Sequence, residues 1–344
     1  MAPRLRWRVA DVVDETADTR SFVLEPLGDA PVAYRPGQFL TLKVPSDRTG
    51  HVARSYSFSS APGTGEPHRV TVRRAAGGYA SNWLCDSVGA GDEIESLAPG
   101  GVFTPTDLDA DLLLVGGGSG ITPVLSILKE ALHRGTGHVT LLYASRDETS
   151  VIFAEELRFL QHSHPSRLAV LHWLESVQGL PGPAVTGLLQ PYLDRETWIC
   201  GPAPFMELVE SGLRSAGADP ARINVERFVS LTSDPFADDG ADPEASGAAT
   251  DAPAAVLELV LDGEKHELAW PAGKRLLDVA LDAGLEAPYS CREGACSACA
   301  CLVDLGEVEM ERNEVLSAED LAEGIVLSCQ ARALTERVRA SYDA

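Results

Sequence analysis

Four cysteines constrain this chain more tightly than any other feature. Three lie in Pro288-Tyr289-Ser290-Cys291-Arg292-Glu293-Gly294-Ala295-Cys296-Ser297-Ala298-Cys299, spaced C-x4-C-x2-C, and the fourth follows in Leu327-Ser328-Cys329-Gln330. Three thiolates on one loop and a distant fourth match the ligand spacing of a [2Fe–2S] cluster. Such a loop must bend freely to close four sulfurs around two irons, hence Gly294, Ala295 and Ala298 among the ligands. Arg292 would set a charge and donors beside an anionic centre. The competing reading is a structural zinc with four cysteine ligands, but those sites more often come as paired knuckles of two nearby cysteines. Disulfides fit poorly, because seven cysteines is an odd number and no apolar signal region follows the basic stretch at the start.

A chain of 344 residues suits two or three domains, and 44% hydrophobic content is enough to fill their cores. No apolar run reaches the length of a membrane span, so a soluble, cytoplasmic protein is expected. A formal charge of −23 argues against nucleic acid as a partner. The acid is uneven: residues 1–108 carry 11 basic and 13 acidic side chains, residues 254–344 carry 8 and 18. The plain reading is a solvated surface; the sharper one is steering of a basic protein partner.

From Leu5 to Leu97 the pattern predicts short strands at Trp7–Val13, Ser21–Glu25, Phe39–Val44, Ala53–Ser59, Arg69–Arg74 and Asp92–Ser96, a small antiparallel barrel. Within it, Arg54-Ser55-Tyr56-Ser57 sets a cation, a flat ring and a hydroxyl along an extended segment. That arrangement suits a flavin, with Arg54 on the pyrophosphate, Tyr56 against the ring system and Ser57 near its reactive nitrogen. Gly77-Gly78-Tyr79-Ala80-Ser81 then opens a helix whose amides, with the Ser81 hydroxyl, could hold phosphate. By itself the Arg-x-Tyr-Ser segment is more commonly just an amphipathic strand. Cys85 reads as a small core residue.

At Asp109 the pattern changes. Leu112–Val115 is wholly apolar, as in a strand buried on both faces, and it empties into Gly116-Gly117-Gly118-Ser119-Gly120-Ile121-Thr122-Pro123 before a helical pattern. Later strands alternate with helices, which predicts a parallel sheet with covering helices. The glycine run has the makings of a phosphate-binding turn, although a glycine-rich turn without a ligand remains open. Cys200-Gly201-Pro202 closes a later strand at the end where ligands of such sheets bind; a buried core thiol is the alternative for Cys200. After the second strand, Ser145 and Arg146 could take a 2′-phosphate whereas Asp147 and Glu148 would repel it. The eight histidines show no ligand spacing.

Residues 230–253, rich in Asp, Ala, Pro, Gly and Ser with Phe236 as sole aromatic, read as a flexible tether. Beyond it come a hairpin across Asp262-Gly263-Glu264, a helix at Leu276–Ala283, the cysteine loop, and strands at Ala300–Leu305 and Val308–Met310. Cys301 reads as a core thiol, since four ligands are already accounted for.

The Arg-x-Tyr-Ser segment, the GGGSGITP turn and the Cys-Gly-Pro turn, in this order, resemble the ferredoxin–NADP reductase superfamily over residues 5 to about 229. The last domain resembles plant-type ferredoxins of β-grasp fold. Together they look like the flavin and iron–sulfur reductases that serve bacterial oxygenases. Stretches such as Ser81–Asp86, His172–Ser176 and Ser233–Ala237 contribute to that likeness.

The resemblance implies an antiparallel β-barrel flavin domain (1–108), an α/β parallel-sheet nucleotide domain (109–229), the linker (230–253) and an α+β ferredoxin domain (254–344). It implies FAD contacts at Arg54, Tyr56, Ser57, Gly78 and Ser81. It also implies nicotinamide-nucleotide contacts at Gly117, Gly118, Thr122, Cys200 and Gly201, with Phe228 a candidate for stacking. Ser57 and Cys200 are the candidate catalytic residues, and Cys291, Cys296, Cys299 and Cys329 the metal ligands. It tips the nucleotide towards NADH. The expected acceptor is a Rieske-type terminal oxygenase acting on a steroid nucleus, with phenylacetyl-CoA epoxidation or another oxygenase as the alternative. The chain is expected to be monomeric. From another class, a flavoprotein carrying a zinc-bearing interaction module remains the rival.

Overall fold

The computed structural model describes residues 4–28, 30–47, 49–228, 231, 235–236, 253–289, 291–316 and 318–343. Six strands form the first unit: β1 (Arg4–Thr16), β2 (Thr19–Pro26), β3 (Phe39–Ser46), β4 (Gly50–Ser57), β5 (His68–Arg73) and β6 (Glu93–Leu97). They lie in the order β4-β3-β6-β1-β2-β5, and a bridge between Phe58 and Val70 joins the two ends into the expected barrel. Alternation along the strands turns Trp7, Phe22, Leu24, Leu40 and Leu42 inward, where each is fully buried. The Trp7 indole N–H donates to Ser96 Oγ at 2.8 Å, so burying that ring leaves no polar atom unpaired. Helix α1 (Tyr79–Ser87) follows β5 and buries Leu84 and Cys85 against the same core.

The second unit alternates β7 (Leu112–Gly117), α2 (Ile121–Arg134), β8 (Val139–Ser145), α3 (Ala154–Ser163), β9 (Leu168–Leu174), the single turn α4 (Glu175–Gln178), α5 (Pro183–Leu189), β10 (Glu196–Cys200), α6 (Ala203–Ser215) and β11 (Ile223–Glu226). All strand pairs are parallel, in the order β11-β10-β7-β8-β9. The apolar run of β7 divides between two cores. Leu112 and Leu114 pack with α2 and α3, while Leu113 and Val115 pack with α5 and α6.

Helix α2 ties this unit to the barrel. Ser126 Oγ donates to the Ser60 carbonyl at 2.6 Å, and the buried Glu130 accepts from Gly63 N at 2.7 Å. Lys129, itself buried, bridges Glu66 at 2.7 Å and Glu156 at 3.0 Å, and Arg69 closes the network on Glu156 at 2.7 Å. Ion pairs this sheltered need such mutual satisfaction to offset their desolvation.

The third unit holds β12 (Pro253–Leu261), β13 (Glu264–Pro271), α7 (Leu276–Asp282), β14 (Ala300–Leu305), β15 (Val308–Met310), the short helix α8 (Ala318–Ala322), β16 (Ile325–Leu327), β17 (Ala331–Ala333) and β18 (Arg337–Ser341). The β12–β13 hairpin turns on Asp262 and Gly263, both at positive φ (53° and 77°), the conformation a two-residue Asp-Gly loop supplies. Strand β18 inserts between β12, to which it is parallel, and β14, making a mixed sheet that the sequence pattern did not disclose.

This unit shares a core with the barrel: Phe39, Ala53 and Leu97 cluster with Trp270, Leu277 and the four cysteines. Of the expected tether, Leu231, Pro235, Phe236 and Pro253 are among the described residues; the rest, with Ser233, Asp234 and Ala237, lies outside them. Phe236 does not behave as tether. It is buried, its ring meets His51 edge-on and lies under Lys43, and its carbonyl accepts from Arg4 at 2.8 Å. Among the described residues no helix is long and apolar enough to cross a membrane.

Candidate functional site

All seven cysteines are buried and reduced, and four of them meet in the third unit. The loop carrying Cys291, Cys296 and Cys299 takes left-handed backbone at Arg292, Gly294 and Ser297. Gly294 is needed twice over, for its φ of 76° and because a Cβ there would stand 2.6 Å from the Arg312 carbonyl. That tight winding turns backbone N–H groups onto sulfur. Glu293 N and Ala295 N donate to Cys291 Sγ at 3.4 and 3.3 Å, and Cys291 N donates to Cys296 Sγ at 3.3 Å. From the distant segment that brings the fourth cysteine, Gln330 Nε2 donates to Cys329 Sγ at 3.5 Å and to the Arg292 carbonyl at 3.0 Å.

The sulfurs run as a chain, Cys296–Cys291–Cys329–Cys299, each within hydrogen-bonding reach of the next. Hydrogen bonds from Cys296 and then Cys329 hold the Cys291 thiol well below its ordinary range. Among the described residues no three His, Cys, Asp or Glu groups converge on a point as ligands of one ion would. Three cysteines on one tightly wound loop and a fourth from a distant segment, with amide donors on the sulfurs, fit the ligand pattern of a [2Fe–2S] cluster. The Arg292 guanidinium pairs with Asp278 of α7 and lies over the Tyr289 ring. Cys301 packs at the head of β14, where burial raises its thiol.

In the second unit the strand order reverses between β7 and β10, which opens a crevice beyond their C-terminal ends. Gly116–Gly118 and Cys200-Gly201 form its two lips. They touch: a Cβ on Gly201 would stand 3.1 Å from the Gly117 Cα, and one on Gly120 would stand 2.6 Å from Gly201 N. Tyr143 Oη donates to the Gly118 carbonyl at 3.1 Å, while Thr122 Oγ1 donates back to Ser119 at 3.1 Å, so both hydroxyls hold the turn.

Cys200 is fully buried, and that burial, reinforced by Glu226, keeps its thiol well above the ordinary value. It is a neutral thiol, not a nucleophile. Glu226, half-buried at the cavity wall, pairs with Cys200 across β10 and β11, and desolvation on its protein-facing side pushes its carboxyl up to about 8. This proton-holding acid was not singled out from sequence, where its one signal is a lone carboxylate closing an otherwise uncharged strand. It borders a cavity of about 950 Å³ between this unit and the third, whose far wall includes Cys301, Leu302 and Tyr342.

On the barrel, register sets Arg54 opposite Leu42, Tyr56 opposite Leu40 and Ser57 opposite Phe39. Arg54 and Tyr56 therefore share one face of β4, and Ser57 turns to the other; the three do not lie along one line. Arg54 Nη1 donates to the Ala53 carbonyl at 2.6 Å, and burial raises the Tyr56 phenol. No side chain caps α1 at Gly78, which leaves its first amides to a ligand; the Ser81 hydroxyl accepts from Ala75 N at 3.1 Å and retains its own proton. Phe228 is exposed. Strand β4 leads through Ser59-Ser60 to the seat of α2, so the expected flavin strand and the glycine turn belong to one rigid corner.

Three family models match in succession: an oxidoreductase FAD-binding domain (residues 7–104), an oxidoreductase NAD-binding domain (114–211) and a 2Fe-2S iron-sulfur cluster binding domain (259–334). The donor sets described above fit those groups. Barrel, crevice and sulfur loop define a pyridine-nucleotide-dependent flavin and iron–sulfur oxidoreductase with FAD, NADH and [2Fe–2S] as its cofactors.

Among similar proteins, the "3-ketosteroid-9-alpha-monooxygenase, ferredoxin reductase component" of Mycolicibacterium smegmatis is 54% identical, aligned over 98% of this chain and 97% of its own. That of Rhodococcus rhodochrous is 52% identical over 97% and 95%. A component of the 1,2-phenylacetyl-CoA epoxidase of Escherichia coli is 32% identical over 98% and 97%. The chain belongs to the family of ferredoxin reductase components of 3-ketosteroid-9-alpha-monooxygenases. Among solved structures, phthalate dioxygenase reductase matches over 98% of both chains (TM-score 0.54, 25% identity). Full-length CYP116B46 from Tepidiphilus thermophilus matches 98% of this chain with a TM-score of 0.67 and 25% identity, and this chain spans 42% of that longer one.

Proposed function

We propose that this chain is the NADH-oxidising reductase of a 3-ketosteroid 9α-monooxygenase and delivers electrons to a Rieske-type terminal oxygenase. The observation that carries this reading is the 54% identity along 98% of the chain to a reductase component of that system. The relative serving phenylacetyl-CoA epoxidation, at 32%, ranks behind it. Bound together, the three cofactors supply hydride acceptance, splitting of the electron pair and one-electron carriage.

The chain's own residues bind and orient. In this reading Arg54, Gly78 and Ser81 hold FAD phosphates, Tyr56 and Phe228 flank its ring, and Gly117, Gly118, Thr122 and Gly201 receive NADH. Ser57 and the neutral Cys200 face the reacting rings, with Glu226 holding a proton beside Cys200. Cys291, Cys296, Cys299 and Cys329 ligate the irons. In this reading the units are 1–108, 109–229 and 254–344, and the chain acts as a monomer.

Direct support for the wiring comes from the barrel surface: a Cβ on Gly100 would lie 3.0 Å from Ala298 Cβ, so the sulfur loop rests on the barrel beside Phe39, the partner of Ser57. Steady-state NADH oxidation with purified oxygenases added one at a time tests the proposal. Stimulation by a 3-ketosteroid oxygenase well above that by unrelated Rieske oxygenases is expected. Equal or better coupling to an epoxidase would overturn it.

A further inference from the structure

Where the barrel meets the mouth of the crevice, one carboxylate holds two guanidinium groups. Asp18, in the turn between β1 and β2, accepts from Arg73 Nε at 3.1 Å and from Arg146 Nη2 at 2.9 Å. Arg73 ends β5 and reaches over the glycine turn, since a Cβ on Gly118 would stand 2.9 Å from its Nη1. Arg146 immediately follows β8, the place in a parallel nucleotide-binding sheet where the 2′ substituent of the adenosine ribose is read. Burial works against the Asp18 anion, but the Thr16 hydroxyl, Arg73 and the Thr19 hydroxyl outweigh it and hold the carboxyl below its ordinary value.

Of the two acids expected from sequence to repel a 2′-phosphate, Asp147 and Glu148, the first is held as the cap of the following turn. Asp147 Oδ1 accepts from Thr149 N at 3.0 Å, Ser150 N at 2.9 Å and Thr149 Oγ1 at 2.7 Å, as the cap of the following turn. Ser145 is buried, and Glu148 is exposed. Arg146 is therefore the cation of this loop that could recruit a phosphate, and its charge is already answered from another domain, 128 residues away in sequence.

We propose that Asp18 is a specificity-determining residue: by engaging Arg146 it withholds that cation from the 2′-phosphate and favours NADH over NADPH. This rests on the reductase reading and deepens it. The alternative, that Asp18 only staples barrel to sheet, predicts a loss of stability with no change in nucleotide preference.

The test uses the full-length holoenzyme and a pair of probes that differ in the 2′-phosphate, 2′,5′-ADP and 5′-AMP, titrated by calorimetry. Asp18→Asn should tighten 2′,5′-ADP by about three- to tenfold, the range for one partly exposed charge-assisted contact, and leave 5′-AMP within about twofold. Adding Arg146→Ala should abolish that gain, and the NADPH-to-NADH ratio of kcat/KM should move in step. In the otherwise unaltered chain, Arg146→Ala should weaken 2′,5′-ADP by less than about twofold, because the cation is already engaged. An unchanged probe ratio in Asp18→Asn, a gain that survives Arg146→Ala, or a large loss in Arg146→Ala alone would each overturn the proposal. Titration needs no turnover, so a chain that neither nucleotide reduces would refute the reductase reading while the probes still decide the role of Asp18.

Discussion

Gly120→Ala isolates the packing of the nucleotide crevice from its chemistry. Gly120 has φ −63° and ψ −8°, a conformation alanine adopts freely, so the substitution adds no backbone strain. What it adds is one methyl group wedged between two main chains. The new Cβ would lie 2.6 Å from Gly201 N, and closer still to the Cys200 carbonyl. Ordinary contact begins near ~3.5 Å, so the tips of β7 and β10 must part by about 1 Å. No side-chain rotation can relieve a clash between backbones, which points to the upper part of the ~1–3 kcal/mol range for overpacking. A shift of about 1 Å at reacting groups is worth roughly 100-fold in rate. Gly187→Ala in α5 is the matched control: nothing lies within 4 Å of its Cβ, and it should stabilise by about 0.5–1 kcal/mol. Urea unfolding gives the stabilities, and anaerobic bleaching of the flavin by NADH gives the rate. If Gly120→Ala unfolds at the wild-type midpoint and bleaches at the wild-type rate, the lips do not touch as described.

Two further outcomes follow from the same geometry. Cys329→Ser should lose the broad visible absorption of the cluster and nearly all oxygenase reduction while keeping NADH–ferricyanide activity, whereas Cys301→Ser should keep all three; a bleached Cys301→Ser would move the ligand set. The Glu226 carboxyl titrates near 8 when folded against 4.5 when free, so between those values the native state holds a proton the unfolded chain has lost. Stability should therefore fall as pH rises from about 4.5 to about 8, and Glu226→Gln should remove that part of the slope; parallel unfolding curves for the two proteins across the window would contradict it.

What the sequence determined by itself is local. The C-x4-C-x2-C spacing, the apolar run of β7 emptying into glycines and the Asp262-Gly263 turn each act within a dozen residues, so their consequences were legible without coordinates. The six barrel strands and the Leu112–Val115 strand fall where the periodicity puts them, within a few residues at the ends. Strands β16, β17 and β18 went unseen because two of them span only three residues, too short to show a period, and their partners are distant in sequence.

The tertiary structure decided which charges and carbonyls face one another. Arg292 turns to Asp278, Phe236 sits on the barrel, and Asp147 caps its own turn while Asp18 takes Arg146. The raised carboxyl of Glu226 belongs to the same class, since it exists only once β11 lies against β10. Desolvation and ion pairing depend on distances between segments far apart along the chain, and no local pattern encodes those distances.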